Sequence, residues 1–248
     1  MSQHANSLRT SLPPLRLALP RTLLGRVLHW RHRLFGQRNA GEVVLERIGG
    51  STVLVTPEVL NPRLMRSGAF FASQLGPRVI PADADVLDMG TGSGVCALVA
   101  ARYARSVVAV DISPAAVRCA RANVLINDLA HKIDVLQGDL FAPLEGRAFD
   151  VVLFNPPFVR GVPRSDADRA WRSVDVPERF AAGLERHLKP QGFALVLLST
   201  FGDATQFVGC FRGHGLELSI VGERGYVNER LTLLKLWPAR AGRGAGLP

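Results

Sequence analysis

The sequence has little cysteine, no histidine pair suited to a metal and no long hydrophobic run. Its three cysteines, Cys96, Cys119 and Cys210, lack Cys-x-x-Cys spacing. This argues against a disulfide framework or a zinc site and favours the reducing cytoplasm as the expected location. No two histidines are spaced i, i+4, so we predict no metal site. No stretch approaches the roughly 18 uninterrupted apolar residues that span a bilayer, so we predict no membrane association.

Acidic residues are absent from the N-terminal part of the chain. Residues 1–41 hold seven arginines and neither lysine nor acid, whereas the remaining residues hold 23 basic and 21 acidic side chains. The net charge of +9 therefore resides mainly in a basic arm, and nucleic acid is a possible partner only through that arm. We interpret the arm as a solvated or loosely helical leader. A phosphate-contacting or partner-docking arm and an organelle targeting peptide are the alternatives.

The length of 248 residues, 47% of them hydrophobic, suits one sizeable α/β domain with a short extension. Glu42–Val55 is predicted to form a hairpin, because two β-prone segments flank the pair Gly49-Gly50. Leu64–Leu75 is predicted to be a helix. The predicted organisation is a basic arm, an N-terminal hairpin and helix, a catalytic domain and a flexible tail, at residues 1–41, 42–77, 78–238 and 239–248.

From residue 84 onward, strand-like and helix-like segments alternate. The predicted strands are ADVLDM, SVVAVD, KIDVLQGD, FDVVLFN, GFALVLLST, LELSIVGE and ERLTLLKLW. The predicted helices are VCALVAARYA, PAAVRCARANVLIN, Val176–Leu188 and Asp203–His214. This alternation predicts an α/β fold with a doubly wound, mostly parallel seven-stranded sheet, whose closing hairpin makes the last strand antiparallel. Ligands of such sheets bind beyond the carboxyl ends of the strands.

A glycine-rich loop follows the first of these strands. The sequence Asp88–Gly94, DMGTGSG, would let the backbone approach a ligand closely and would open a helix with unpaired N–H groups. The spacing differs from the dinucleotide fingerprint, because Val95 stands where that fingerprint needs its third glycine. The Asp88 carboxylate is placed to bind the ammonium of an amino-acid ligand, and it would repel a pyrophosphate.

Two aspartates follow the next strands at the same edge of the sheet. Asp111, in VVAVDIS, is placed to accept from both hydroxyls of a ribose, and the alternative is a capping residue ahead of Pro114. Asp139, in QGDLF, is placed to accept from an adenine amine, and the alternative is a turn aspartate beside Gly138. Together with the glycine loop, they predict a nucleoside site.

The tetrapeptide Asn155-Pro156-Pro157-Phe158 follows the fourth strand and is the most specific signal in the chain. The Asn155 side-chain carbonyl and a prolyl backbone carbonyl can both accept from an NH₂ group, and proline holds such carbonyls rigidly. Phe158 is placed to stack on a planar group and shield it from water. A Pro-Pro loop that merely ends a strand is the alternative. The charged segment that follows is interpreted as an ordinary loop.

In their order and spacing, DMGTGSG, VAVDIS, GDL and NPPF resemble the class I S-adenosylmethionine-dependent methyltransferases that modify exocyclic or amide nitrogens. Within that class, the chain is similar over roughly residues 52–237 to the HemK-related group, which includes the release-factor glutamine methyltransferases. The approach segment VLNPR and the closing ERLTLLKLW share in the resemblance.

The resemblance implies S-adenosyl-L-methionine as the cofactor and gives roles to the motif residues. The implied cofactor-binding residues are Asp88, Gly90, Thr91, Gly92, Gly94, Asp111, Ile112, Asp139, Leu140 and Asn155. The implied catalytic residues are Asn155, Pro156, Pro157 and Phe158. Two departures bear on the substrate. Phe158 stands where the group usually has tyrosine, as in enzymes that methylate guanine in ribosomal RNA, and Leu64–Arg66 replaces an acidic pair.

The expected function is methyl transfer to a planar nitrogen, with a protein glutamine amide as the acceptor and a translation release factor as one expected protein substrate. An RNA or DNA base methyltransferase and a small-molecule N-methyltransferase are the alternatives. A nicotinamide-dependent oxidoreductase is opposed by the glycine spacing. A catalytically silent module that keeps the cofactor pocket is opposed by the intact NPPF sequence.

Overall fold

The structure is a computed structural model that describes residues 42–239. The predicted basic arm at residues 1–41 and all but the first residue of the predicted tail lie outside the described residues. Within the described part of the chain, no helix is long and apolar enough to cross a membrane.

From residue 85 onward, the strands of the main sheet occur in the order that the sequence pattern predicts, although an α-helix does not separate every successive pair. The strands are β1 (Val44–Ile48), β2 (Ser51–Val55), β3 (Asp85–Met89), β4 (Ser106–Asp111), β5 (Ile133–Gln137), β6 (Phe149–Phe154), β7 (Val159–Arg160), β8 (Arg172–Ser173), β9 (Leu188–Ser199), β10 (Leu216–Tyr226) and β11 (Glu229–Pro238). The α-helices are α1 (Ser67–Gln74), α2 (Val95–Ala100), α3 (Pro114–Ile126), α4 (Asp166–Arg169), α5 (Val176–Leu184) and α6 (Ala204–Gly213).

Seven strands form one sheet in the order β10-β11-β9-β6-β3-β4-β5. β3 pairs in parallel with β4 and β6, and further parallel pairs join β4 to β5 and β6 to β9. β11 runs antiparallel to both β9 and β10. The predicted mostly parallel sheet with an antiparallel last strand is therefore confirmed. The strand order reverses between β3 and β6, which is where ligands bind in such sheets.

The central strands are buried on both faces of the sheet, which explains their uninterrupted apolar sequences. In β3, Val86 belongs to a core that also contains residues of the hairpin, α1, α2 and α3. Leu87 and Met89 belong to a second core, formed with residues of α5 and α6. Neighbouring residues of one strand thus serve opposite layers, as the two-residue period of a strand requires.

Two asparagines of α3 hold the N-terminal hairpin. Asn123 is fully buried. Its Oδ1 accepts from the Leu54 N–H at 2.6 Å, and its Nδ2 donates to the carbonyls of Leu54 at 2.7 Å and Ser93 at 2.8 Å. Asn127 repeats the pattern with Thr52, accepting at 3.1 Å and donating at 2.7 Å. The two side-chain amides therefore bind backbone groups of β2 as a second neighbouring strand, besides β1, would do. The sequence pattern did not predict this contact.

Replacing Asn123 with alanine is expected to lower the free energy of unfolding by about 3 kcal/mol, because buried backbone groups of β2 and of the glycine loop lose their partners. Urea unfolding of both proteins measures the difference. As a control, R118A alters an exposed position of the same helix and is expected to change stability by less than about 0.5 kcal/mol. A loss in N123A no larger than that in R118A would contradict the bridging role.

The predicted start of α1 is wrong. The sequence predicts a helix from Leu64, but the α-helix begins at Ser67. Asn61 Oδ1 accepts from the backbone N–H groups of Arg63 at 2.9 Å and Leu64 at 3.3 Å, and this side-chain contact stabilises a turn instead. Arg66 then adopts a φ of 62°, a left-handed conformation that a helix does not allow.

A small parallel sheet follows β6 in the segment interpreted from sequence as a loop. β7 and β8 pair with each other, with Val159 opposite Arg172, and α4 falls between them in the sequence. The Val159 N–H donates to the Trp171 carbonyl at 2.8 Å, and the Gly161 N–H donates to the Ser173 carbonyl at 2.8 Å. Because Val159 directly follows the NPPF sequence, this small sheet anchors the C-terminal end of that motif.

Candidate active site

A cavity of about 370 Å³ lies at the carboxyl ends of the parallel strands, at the edge where the sequence predicts a ligand site. It brings together the residues after β3, β4, β5 and β6. The predicted site residues on its wall are Asp88, Gly90, Thr91, Gly92, Asp111, Ile112, Asp139, Leu140, Asn155, Pro156, Pro157 and Phe158. Gly94 is the predicted site residue that does not line it.

Asp88 ties the glycine loop to the helix behind it. Its Oδ2 accepts from Thr91 Oγ1 at 2.6 Å and from the Ala97 N–H at 3.0 Å. The Thr91 N–H in turn donates to the Val110 carbonyl of β4 at 3.0 Å. These contacts fix the shape of the loop. Because Asp88 also lines the cavity, its other oxygen remains the candidate partner for a ligand ammonium.

Gly92 and Gly94 have different purposes, although both have a positive φ, 56° and 82°. A Cβ on Gly92 would have no atom within 4 Å, so the loop backbone is open at that point. A Cβ on Gly94 would lie 3.3 Å from the Cβ of Ala120, so glycine lets the loop pack closely on α3. Gly94 is therefore a packing residue of the loop.

Burial gives Asp88 an unusual titration. Removal from water raises the pKa of Asp88 from 3.8 to about 7, although hydrogen bonds from Thr91 and Ala97 oppose the rise. The nearby charge of Asp111 adds to it. Between these two pH values the folded protein therefore binds more protons at this carboxyl than the unfolded chain does. Linkage then requires that its contribution to stability falls as the pH rises through this window.

Asp88→Asn is expected to remove this pH dependence. Between pH 3.8 and about 7, the wild-type protein should lose a few kcal/mol of unfolding free energy relative to D88N, because ionising a buried carboxyl favours the unfolded chain. Urea unfolding of both proteins at several pH values gives the difference directly, and other titrating groups cancel in it. A difference that stays flat, or that rises with pH, would contradict the raised pKa.

Asp111, at the end of β4, holds the glycine loop from the other side. Its Oδ2 accepts from the Gly92 N–H at 2.8 Å, and its Oδ1 accepts from the Ser113 N–H at 2.9 Å. Ser113 is the N-cap of α3, since its hydroxyl accepts from the Ala116 N–H at 3.4 Å. The capping alternative for Asp111 is therefore wrong. Each carboxylate oxygen can accept further hydrogen bonds, so a diol remains a suitable ligand.

Asp139 forms an ion pair that the sequence did not predict. Arg179 of α5 places its Nη2 2.7 Å from Asp139 Oδ1, and both residues line the cavity. The next residue, Leu140, has a φ of 50°, which is uncommon outside glycine. Charge spacing along the sequence does not indicate this pair, because 40 residues separate its members and only the fold brings them together.

Asn155 presents an unpaired acceptor. Its Nδ2 donates to Ser67 Oγ at 3.4 Å, and this contact orients the amide. Its Oδ1 is buried and has no hydrogen-bond partner among residues 42–239. A buried carbonyl without a partner is costly, and at a cavity wall it marks a position where a ligand N–H can donate. Ser67 is a contact that sequence reasoning missed.

The rest of the NPPF sequence is held rigidly. Phe158 is buried, and its carbonyl accepts from the Asp203 N–H at 3.2 Å. No backbone N–H of the described residues donates to the Pro156 carbonyl. Asn155 and Pro156 therefore each have a carbonyl oxygen without a backbone donor among residues 42–239, at a wall that Phe158 also lines.

The cavity fits S-adenosylmethionine. That molecule carries hydrogen-bond donors at its ammonium, its ribose hydroxyls and its adenine amine, and the carboxylates of Asp88, Asp111 and Asp139 line the wall. Ile112, a large apolar side chain that is 40% exposed, adds an apolar surface for a flat ring. Fold and site together are those of the class I S-adenosylmethionine-dependent methyltransferases.

The chain belongs to the methyltransferase small domain family, whose profile matches residues 63–211. This match confirms the predicted class, and similarity to release factor glutamine methyltransferases supports the HemK-related group within it.

Two curated relatives illustrate the range of methyltransferases to which this chain is similar. The release factor glutamine methyltransferase of Koribacter versatilis is 35% identical over 167 residues, which cover 59% of this chain and 57% of that protein. The ribosomal RNA small subunit methyltransferase C of Alcanivorax borkumensis is 32% identical over 154 residues, which cover 62% of this chain and 44% of that protein. The chain thus spans about half the length of these relatives.

A solved structure agrees on the fold. The T. Thermophilus 16S rRNA methyltransferase in complex with AdoMet and guanosine matches with a TM-score of 0.58 and 23% identity, over 77% of this chain and 49% of that chain. At this identity the likeness concerns the fold alone. It confirms the predicted Rossmann-like methyltransferase architecture.

Proposed function

We propose that this protein transfers a methyl group from S-adenosylmethionine to a planar nitrogen, and that the acceptor is a protein glutamine side-chain amide. The observation that carries the proposal is the buried Oδ1 of Asn155, which has no partner among the described residues and belongs to a residue of the cavity wall. A primary amide supplies the N–H that this oxygen lacks.

The cofactor side of the cavity is formed by the loops after β3, β4 and β5. Asp88 would hold the ammonium group, Asp111 the ribose hydroxyls and Asp139 the adenine amine, while Gly92 leaves room for close approach of the ligand. When bound, S-adenosylmethionine supplies an electrophilic methyl group on a sulfonium sulfur. Ile112 packs against the adenine ring in this proposal.

The acceptor side is formed by the NPPF sequence. The Asn155 Oδ1 and the Pro156 carbonyl accept hydrogen bonds from the amide NH₂, and this fixes its plane and raises the electron density on its nitrogen. Phe158 excludes water from that nitrogen. Positioning of this kind contributes several kcal/mol to lowering a barrier in favourable cases. A strong general base is not required, because the methylated amide nitrogen is strongly acidic and releases its proton to bulk water after transfer, when the product leaves the cavity and S-adenosylhomocysteine remains.

A protein acceptor is supported by the relatives and by charge. The Koribacter versatilis relative is named for release factor glutamine methylation. The chain beyond residue 41 holds 23 basic and 21 acidic residues, a balance that does not favour polyanion binding. A translation release factor and a cytoplasmic location are part of this proposal.

The second candidate acceptor is the exocyclic amine of a nucleic acid base, most simply in RNA. Two observations favour it: Phe158 in place of the tyrosine usual in the HemK-related group, and the similarity to a ribosomal RNA methyltransferase. The arginines of residues 1–41 would then supply phosphate contacts.

Incubation of the full chain with methyl-labelled S-adenosylmethionine distinguishes these candidates. A purified translation release factor and naked ribosomal RNA are offered separately and then in competition. Label on a glutamine of the protein, located by mass spectrometry, supports the proposed function. Label confined to RNA bases would favour the second candidate, and label in neither would contradict both acceptors.

A further inference from the structure

Arg179 lies on the cavity wall, and no sequence motif gives it a role. Its Nη2 is 2.7 Å from Asp139 Oδ1, and its Nη1 is 3.7 Å from Asp175 Oδ1 at the start of α5. The side chains of Arg179 and Asp139 are 42% and 43% exposed, so the pair lies at the rim of the cavity. The guanidinium is therefore placed between carboxylates from two elements.

Arg179 lies against the Asp139 carboxylate, yet the Asp139 side chain stays 43% exposed, so part of the carboxylate is open to a ligand. The backbone on both sides is constrained, because the Gly138 N–H donates to the Asp111 carbonyl at 3.0 Å and Leu140 has a φ of 50°. With its backbone fixed and an arginine beside it, the carboxylate has a defined orientation, and its exposed part remains available to a ligand.

We propose that Arg179 is a positioning residue that orients the Asp139 carboxylate toward the 6-amino group of adenine and thereby sets the selectivity for adenine. This inference rests on the proposed function, in which the cavity binds S-adenosylmethionine with its adenine amine at Asp139. An amine donates a hydrogen bond to the carboxylate, whereas the 6-oxo group of hypoxanthine presents a lone pair to it. A carboxylate held in one orientation discriminates between the two better than a freely rotating one.

The same ion pair has an opposite interpretation, in which Arg179 competes with adenine for Asp139. The two differ in the sign of their effect. If Arg179 orients the carboxylate, its removal weakens binding of the amino compound and leaves the oxo compound unaffected. If Arg179 competes, its removal strengthens binding of the amino compound. The Asp139 side chain stays 43% exposed beside the guanidinium, which leaves room for a ligand amine and favours orientation.

The experiment measures dissociation constants by calorimetry on the full chain, with S-adenosylhomocysteine and S-inosylhomocysteine as probes. In R179M, the preference for the adenine compound is expected to fall roughly fivefold, which corresponds to the upper range for a half-exposed ion pair. Affinity for the inosine compound should stay within about twofold. R186M is the matched control, because Arg186 is exposed in the turn after α5, and it should keep the wild-type preference.

Two results would overturn the positioning role: an unchanged or tighter affinity of R179M for S-adenosylhomocysteine, or an equal loss of affinity for both probes. The second would indicate a general effect on the cavity. Failure of the wild-type protein to bind S-adenosylhomocysteine is a different result. It would overturn the proposed function, and this inference with it.

Discussion

Replacing Asn155 with alanine is expected to slow methyl transfer by about 100- to 1000-fold, the range seen when a polar group that stabilises a transition state is removed. The reason is that the variant loses the buried Oδ1 that holds the acceptor NH₂. Affinity for S-adenosylmethionine is expected to stay within about twofold, because the three carboxylates at the other end of the cavity are unchanged. Single-turnover kinetics with labelled cofactor measures the rate, and calorimetry measures the affinity.

N228A is the matched control for this variant. Asn228 is exposed in the turn between β10 and β11 and does not line the cavity. Its replacement should leave both rate and affinity at wild-type values. Transfer by N155A at the wild-type rate would contradict the role of Asn155 in holding the acceptor. A loss of cofactor affinity as large as the loss of rate would assign Asn155 to cofactor binding instead.

Replacing Asp111 with alanine is expected to weaken S-adenosylmethionine binding by roughly 100-fold. Two kinds of interaction disappear together: the proposed bonds to the ribose hydroxyls, and the bonds from the Gly92 and Ser113 N–H groups that hold the glycine loop. A charged hydrogen bond contributes about 1.5–3 kcal/mol, and each 1.4 kcal/mol corresponds to about tenfold in affinity. Calorimetric titration with the cofactor measures the change.

D134A is the control for D111A, because Asp134 lies in the neighbouring strand β5, is exposed and does not line the cavity. Its affinity should match that of the wild-type protein. Binding of S-adenosylmethionine by D111A within twofold of the wild type would show that the cofactor does not depend on this carboxylate, and the ribose assignment would fail.

The sheet could be predicted from the sequence because its central strands are buried on both faces and therefore appear as short apolar runs. Helix positions followed from the alternation, as for α3, where Pro114 stands in the first turn. The motif residues at the strand ends could also be placed, since parallel strands bring their carboxyl ends to one edge. Their roles toward the cofactor and acceptor stay predictions until they are measured.

Contacts between distant side chains could not be predicted. Asn123 lies in a helix that the sequence predicts, but nothing in that pattern shows that its side chain binds the backbone of Leu54 in β2, 69 residues away. Ser67 meets Asn155 across 88 residues, and Arg179 meets Asp139 only after α5 packs on the sheet. Each of these three contacts is a hydrogen bond or an ion pair. Neither kind of contact produces a periodic pattern in the sequence. The wrong prediction for the start of α1 has a similar cause, because the Asn61 side chain fixes the backbone of the preceding turn.

Binding of S-adenosylmethionine to the wild-type protein tests the central claim most directly. Calorimetric titration with S-adenosylmethionine, and with NAD and NADP as controls, compares a ligand whose hydrogen-bond donors match Asp88, Asp111 and Asp139 with dinucleotides, which the spacing of the glycine loop opposes. We expect micromolar binding of S-adenosylmethionine and none of either dinucleotide. Binding of a dinucleotide instead, or of no ligand, would contradict the assignment of the cavity and the chemistry built on it.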